Sequence, residues 1–211
     1  MSSQTEWKLM GFVGASGAGK TSIAQTLVEH HGFHRLHMGQ PIKDMLGAFG
    51  LSELELQGSP EIRSAPAQAL AGRSPRFAMQ TLGTEWGREM ISKTIWADHL
   101  RRRLESLREE HTNWIVVDDL RFPEDFEAIK DAGGVIVRII RPAAEGDPSW
   151  PEKLARKIAW LRNPLRKLGL NVDHSTEVHW RTAPATFEIL NDGSLEATAA
   201  QLLAMCNSES V

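Results

Sequence analysis

Leu9-Met10-Gly11-Phe12-Val13-Gly14-Ala15-Ser16-Gly17-Ala18-Gly19-Lys20-Thr21 decides the fold of this chain. Its apolar first half reads as a buried strand, and the second half matches G-x-x-x-x-G-K-[ST] at every fixed position. A helical pattern follows from Lys20 to His30. Strand, glycine-rich turn and helix in that order make a phosphate cradle. The glycines let the backbone curl until several N–H groups face a β-phosphate, while Lys20 reaches the β- and γ-phosphates and the Thr21 hydroxyl serves as a Mg²⁺ ligand. The helix adds its positive N-terminal end. A purely structural turn leaves Lys20 unexplained. Gly14, Gly17, Ala18, Gly19, Lys20, Thr21 and Ser22 are therefore the expected ATP-binding residues.

Outward from this stretch, apolar runs alternate with amphipathic helical segments. Leu9 to Val13, Ile115 to Val117, Val135 to Ile140 and Phe187 to Leu190 read as buried strands, with a short one expected over His34 to His37. The alternation predicts an α/β fold, a parallel sheet with helices on both faces. Helices are expected near Pro41 to Phe49, over Phe77 to Met90 and over Trp96 to Arg108. Residues 51–75, rich in Gly, Ser, Pro and Ala, read as a loosely ordered excursion. Between Pro142 and Asp173, Lys153, Arg156, Lys157, Arg162, Arg166 and Lys167 crowd around Trp160 and Leu161. That segment is either a solvated basic helix or a small helical lid, about 149–170, closing over phosphates from the carboxyl edge of the sheet.

At 211 residues the chain fits one domain, long enough to bury roughly 70% of its unfolded surface. A formal charge of -3 argues against a protein whose main task is coating nucleic acid and favours a small substrate. The single cysteine, Cys206, excludes an internal disulfide framework, and no Cys and His spacing resembles a zinc site. The polar N-terminus and the absence of an apolar run near 18 residues predict a cytoplasmic protein without a membrane anchor. Homodimers are frequent among soluble enzymes, but no motif encodes one here.

A phosphate loop does not by itself separate kinase from hydrolase, switch or motor. The second signal is Ile115-Val116-Val117-Asp118-Asp119, a strand ending in carboxylates, one of which would hold Mg²⁺ opposite the loop. Paired acids there also serve as turn formers or as a helix cap before Pro123. Arg121 follows, placed to neutralise transferred phosphoryl charge or fix an acceptor, or to pair with Glu124 or Asp125 at the surface. The third signal is a helix on which Arg76, Gln80, Gly83 and Thr84 stand at offsets of four, seven and eight and share a face. Guanidinium for phosphate, amide for a base edge and small residues for close approach suit a nucleotide. Trp96 beyond them is a stacking plane or a core residue.

In order along nearly the whole chain, these residues resemble the phage deoxynucleoside monophosphate kinases, the family represented by the T-even phage enzyme. The resemblance is carried by the phosphate loop, Gly39-Gln40-Pro41-Ile42-Lys43-Asp44, Met79 to Thr84 with Trp96, and Val116 to Arg121. It continues through Gly133 to Pro142, His174-Ser175-Thr176-Glu177 and Asn191-Asp192-Gly193-Ser194-Leu195. It implies a P-loop kinase fold, and Ile42, Lys43, Arg76, Gln80, Gly83, Thr84 and Trp96 lining an acceptor deoxynucleoside monophosphate with Ser16 near its phosphate. The matching D-x-R makes Asp119 the stronger metal candidate and Asp118 the weaker, and puts Asn191 and Gly193 near the donor adenine. Residues 51–75 are shorter than in the T-even enzyme and Ser149 to Leu170 longer, so lid and base-specificity elements do not transfer. Arg88 lies outside the matched blocks and is a substrate-binding candidate on charge alone. The implied substrate region spans about 39–108.

The implied activity is transfer of the ATP γ-phosphoryl group to a deoxynucleoside monophosphate, with Lys20, Asp119 and Arg121 as catalytic residues and ATP with Mg²⁺ as cofactors. A nucleoside kinase would need a carboxylate to take a hydroxyl proton, for which Glu85 is the candidate. A kinase acting on polynucleotide ends or modified bases would use the basic segment to grip a strand. An ATP-hydrolysing switch would leave the Arg76 to Trp96 face without a purpose.

Overall fold

Because the first strand is apolar on both faces, it has to sit inside a sheet covered on both sides. In the computed structural model, which describes residues 7–144 and 179–208, that strand, β1 (Lys8–Val13), is the centre of five. β2 (His34–His37) and β3 (Trp114–Asp118) extend the sheet one way, β4 (Val135–Ile140) and β5 (Phe187–Leu190) the other, giving the order β2-β3-β1-β4-β5 with every pairing parallel. Met10, Phe12 and Val13 are fully buried, as are Ile115 to Val117 and Ile136, Val137 and Ile139.

Helices α1 (Lys20–His31) and α8 (Leu195–Ser208) pack on each other, as do α6 (Ile95–Glu109) and α7 (Pro123–Asp131). Strand order reverses at β1, so a crevice opens beyond its carboxyl end, where open parallel sheets bind ligands. The phosphate loop occupies that point. Among the described residues no helix is long and apolar enough to cross a membrane.

Residues 51–75 depart from the expected loose excursion. They hold α3 (Glu53–Gln57), α4 (Pro60–Ser64) and a 3₁₀ turn at Gln68–Leu70. The order has a local cause. Ser52 and Glu55 form a reciprocal capping box, and the Ser59 hydroxyl caps α4 just before Pro60. α3 gains its stability from a satellite core, in which Leu51 and Leu56 meet Leu46 of α2 (Gln40–Ala48).

The helix expected over Phe77 to Met90 also differs. It begins as α5 (Pro75–Thr81) and continues as a π-helical segment, Leu82–Ile91, with the wider i→i+5 hydrogen bonding. Trp96 explains the change. Its indole Nε1 donates to the Gly83 carbonyl at 2.8 Å, and its ring lies where a Cβ on Gly87 would approach within 2.6 Å. The expected basic lid and the His174 to Glu177 block lie outside the described residues.

Candidate active site

The phosphate loop is built mainly from backbone. Gly19 caps α1 at φ 94°, a left-handed conformation, and a Cβ there would stand 2.3 Å from Asn191 Nδ2. Asn191, at the end of β5, donates that amide to Ala18 O at 2.8 Å, fastening the loop from below. Lys20, nearly buried, folds over the loop and donates to Gly14 O at 2.8 Å and Ala15 O at 2.9 Å. Its Nζ also lies 3.9 Å from Asp119 Oδ1. The lysine is thus held over the place where phosphates would enter.

The two acids at the end of β3 are unalike. Asp118 is completely buried and accepts from Thr21 Oγ1 at 3.1 Å, from Arg35 Nε and Nη2 at 3.0 and 2.6 Å, and from His37 Nδ1 at 2.6 Å. Burial alone would push its carboxyl up; the hydrogen bond and charge of His37, with Arg35, outweigh it and hold the group below the ordinary range. Asp119 lies one residue on, at φ 68°, and turns to the cavity. Arg121 donates to its Oδ2 through Nε at 2.9 Å and Nη2 at 2.8 Å. Here too burial raises the carboxyl, but Arg121 and Lys20 prevail and hold it far below the usual carboxylate value.

Ser16, Ile42, Lys43, Arg76, Gln80, Gly83, Thr84, Arg88 and Trp96 line one cavity together with Gly17, Gly19, Lys20, Thr21, Ser22, Asp119 and Arg121. Its volume is about 510 Å³, within the range of small-molecule sites. The face of Arg76, Gln80, Gly83 and Thr84 survives the change of helix type. Thr84 is 9% exposed, and its hydroxyl has no hydrogen-bond partner among the described residues. Trp96 is buried, at 6% exposure, as the core reading expected, and it also forms part of the cavity wall. Gly14, Ala18, Asp118, Asn191 and Gly193 do not line the cavity; Asn191 and Asp118 act on it through the residues they hold.

Sequence reasoning missed Arg35 and His37, which face the cavity from β2. A signal existed: two polar side chains at alternate positions of a strand share one face, and a purely structural strand of a covered sheet has no use for them. It also missed Arg63, Asp125 and Arg141. The lining is strongly cationic. Lys20, Arg35, Lys43, Arg63, Arg76, Arg88, Arg121 and Arg141 stand against Asp119 and Asp125 alone among the described residues. Burial pushes the Lys43 ammonium down, Arg35 and Arg63 add to that, and Asp118 and Asp119 pull it back. Asp125 is raised by burial, against the pull of Arg88 and of two backbone N–H groups.

The donors suit Mg²⁺. That ion keeps most of its water and takes one or two protein oxygens plus phosphates. One hydroxyl, Thr21, whose proton is directed to Asp118, and one cavity-facing carboxylate, Asp119, make such a set. Among the described residues no group of three or more His, Cys, Asp or Glu forms a closed metal cage.

No family model matches the chain. A protein of Acanthamoeba polyphaga mimivirus, provisionally described as a deoxynucleotide monophosphate kinase, is 28% identical over 155 residues, which are 69% of this chain and 80% of that protein. Shikimate kinase from Acinetobacter baumannii superposes with a TM-score of 0.50 at 18% identity, over 97% of this chain and 96% of that one. The adenylyl-sulfate (APS) kinase of Mycobacterium tuberculosis gives a TM-score of 0.44 at 17% identity, over 96% and 98%. With the parallel sheet and the loop at its switch point, the chain has the P-loop kinase fold.

Proposed function

We propose that the chain phosphorylates a deoxynucleoside 5′-monophosphate with ATP, giving ADP and the deoxynucleoside diphosphate. The observation that carries this reading is a continuous cavity, cationic from the phosphate loop to Arg76, in which neither carboxylate is free to act as a base. Asp119 is engaged by Arg121 and Lys20, and Asp125 lies under Arg88. Glu85, the base a nucleoside kinase would need, is not part of the lining. A phosphate acceptor needs no base, because it is already a nucleophile near neutral pH. The mimivirus relative supports the same substrate class.

In the proposed reaction an acceptor phosphate oxygen bonds to the γ-phosphorus as the bond from that phosphorus to the β-bridging oxygen breaks, and the electron pair leaves with ADP. The backbone from Gly14 to Gly19 and Ser22 would cradle the donor phosphates, with Asn191 and Gly193 on the donor side. Lys20 would follow the β- and γ-phosphates, Arg121 the transferred group, and Arg76 with Lys43 and Ser16 the acceptor phosphate. Gln80, Thr84, Gly83, Ile42 and Trp96 would enclose base and sugar, with Arg88 behind them. Mg²⁺, held by Thr21 and Asp119 with Asp118 orienting Thr21, would neutralise charge on the bridging phosphates. Cancelling repulsion between two polyanions and aligning them is the protein's whole task here.

The test is to incubate the protein with Mg-ATP and each common or modified nucleoside monophosphate in turn, and to identify any diphosphate formed. Activity with some deoxynucleotides and little with ribonucleotides is expected. ADP formation indifferent to every monophosphate, or phosphate appearing on oligonucleotides instead, overturns the reading. Glu85→Gln should leave monophosphate phosphorylation largely intact; phosphorylation of nucleosides in place of monophosphates, lost in Glu85→Gln, would move the assignment to a nucleoside kinase.

A further inference from the structure

Asp125, 1% exposed, is the third residue of α7. Its Oδ2 accepts the backbone N–H of Arg121 at 3.1 Å and of Phe122 at 3.0 Å, and its Oδ1 accepts Arg88 Nη2 at 3.0 Å. Arg88 comes from the π-helical segment. Its guanidinium lies 3.7 Å from the Phe122 ring centroid, and Nη1 donates to Gly83 O at 3.3 Å. One buried carboxylate therefore grips the turn after β3 and is itself gripped by the opposite wall of the cavity.

The turn needs such a hold. Asp119 is in the left-handed region, which redirects the chain sharply between the end of β3 and Arg121. Leu120 N–H donates to Phe12 O at 3.0 Å, pinning the first half of the turn to β1. Asp125 pins the second. Ordinary helix capping accounts for the bond from Phe122 N–H. It does not account for the bond from Arg121, which precedes the cap, nor for the arginine brought in from another element.

We propose that Asp125 is a positioning residue for phosphoryl transfer, fixing the direction of Arg121 relative to the acceptor wall through its pair with Arg88. The inference rests on reading the cavity as a phosphoryl-transfer site. Asp125 acts through the peptide units of residues 121 and 122.

A double-mutant cycle separates this from mere stabilisation. Asp125→Asn is made in the wild-type and Arg121→Ala backgrounds, and ADP formation is followed at saturating ATP and monophosphate. In the wild-type background kcat should fall about tenfold to 10²-fold, the scale of a small misplacement, with the KM for ATP little changed. In the Arg121→Ala background the same substitution should change kcat by less than about twofold, because the group being aimed is gone. Equal losses in both backgrounds, or a folded Asp125→Asn with wild-type kcat, overturn the proposal.

Should Asp125→Asn leave Arg88 as an uncompensated charge and fail to fold, Asp125→Glu, which keeps the charge but shifts the carboxylate by one methylene, replaces it under the same expectations. Wild-type ADP formation that ignores every monophosphate refutes the substrate assignment, and the cycle is then read on ATP hydrolysis. Without any turnover, hydrogen exchange at residues 119–122 decides. Local loss of protection in Asp125→Asn supports the proposal; protection equal to wild type refutes it.

Discussion

The two walls of the cavity are built by different means. The phosphate-loop wall is backbone, shaped by glycines and held by a few contacts, Asn191 to Ala18 and Lys20 to Gly14 and Ala15. The facing wall is side chains on a helix that changes from α to π form around Trp96. A backbone cradle recognises only what every nucleoside triphosphate shares. A side-chain wall can be retuned one residue at a time, so under the proposed reaction the choice of acceptor would belong there.

The largest expected effect tests the first wall. In the proposed reaction Lys20→Ala removes the cation that would follow the transferred charge, and turnover should fall by on the order of 10²- to 10³-fold or more. The fold should survive, because the loop keeps its tie from Asn191 to Ala18 O and its place between β1 and α1. Near-wild-type turnover with an unchanged circular dichroism spectrum would break the division of labour between the walls.

Arg76→Ala tests the second wall. A charge-assisted hydrogen bond to phosphate is worth about 1.5–3 kcal/mol, so the acceptor's KM should rise roughly ten- to 10²-fold while the KM for ATP stays put. An equal rise in both constants would mean that one phosphate-binding surface serves both ligands. Gly87→Ala is the milder companion. The new methyl would meet the Trp96 ring at about 2.6 Å, overpacking that costs about 1–3 kcal/mol. A lower melting temperature and a raised acceptor KM are expected together; either one alone would show that Trp96 does not set the shape of that wall.

What could be read in advance followed the same division. The loop and its flanking strand and helix were legible because their signals are contiguous, each glycine and the lysine lying within eight residues of Gly14. The shared face of Arg76, Gln80, Gly83 and Thr84 was legible as well, since helical offsets need no knowledge of the partner. The π segment was not. It depends on Trp96 meeting Gly83 and Gly87, a tertiary contact that no local propensity encodes. Arg35 reaches Asp118 across 83 residues of sequence and Arg88 reaches Asp125 across 37, so their roles appear only when the chain is folded. In residues 51–75 the caps at Ser52 and Ser59 were present to be read, yet helices of five residues are marginal until a core such as that of Leu46, Leu51 and Leu56 holds them.

The smallest expected effect concerns the seam between the walls, where Asp118 and Asp119 adjoin. Both carboxyls are held below their ordinary values. A depressed carboxylate contributes stability that is fully present above the unfolded value, near 3.9, and is lost as pH falls through the folded one. Acid should therefore weaken the fold chiefly below about pH 4. Asp119→Asn removes one share of that loss without a backbone penalty, since asparagine tolerates the left-handed conformation at this position. Its stability at neutral pH should drop by on the order of 1 kcal/mol, and its acid limb should be shallower than that of the wild type. Asp118→Asn should cost more, because Arg35 and His37 then lose the charge of a fully buried partner. Urea midpoints from pH 7 down to pH 2 for the three proteins give both comparisons. Parallel acid limbs in wild type and Asp119→Asn would mean that Arg121 and Lys20 hold Asp119 no more firmly than solvent does, and that the seam is set by Asp118 alone.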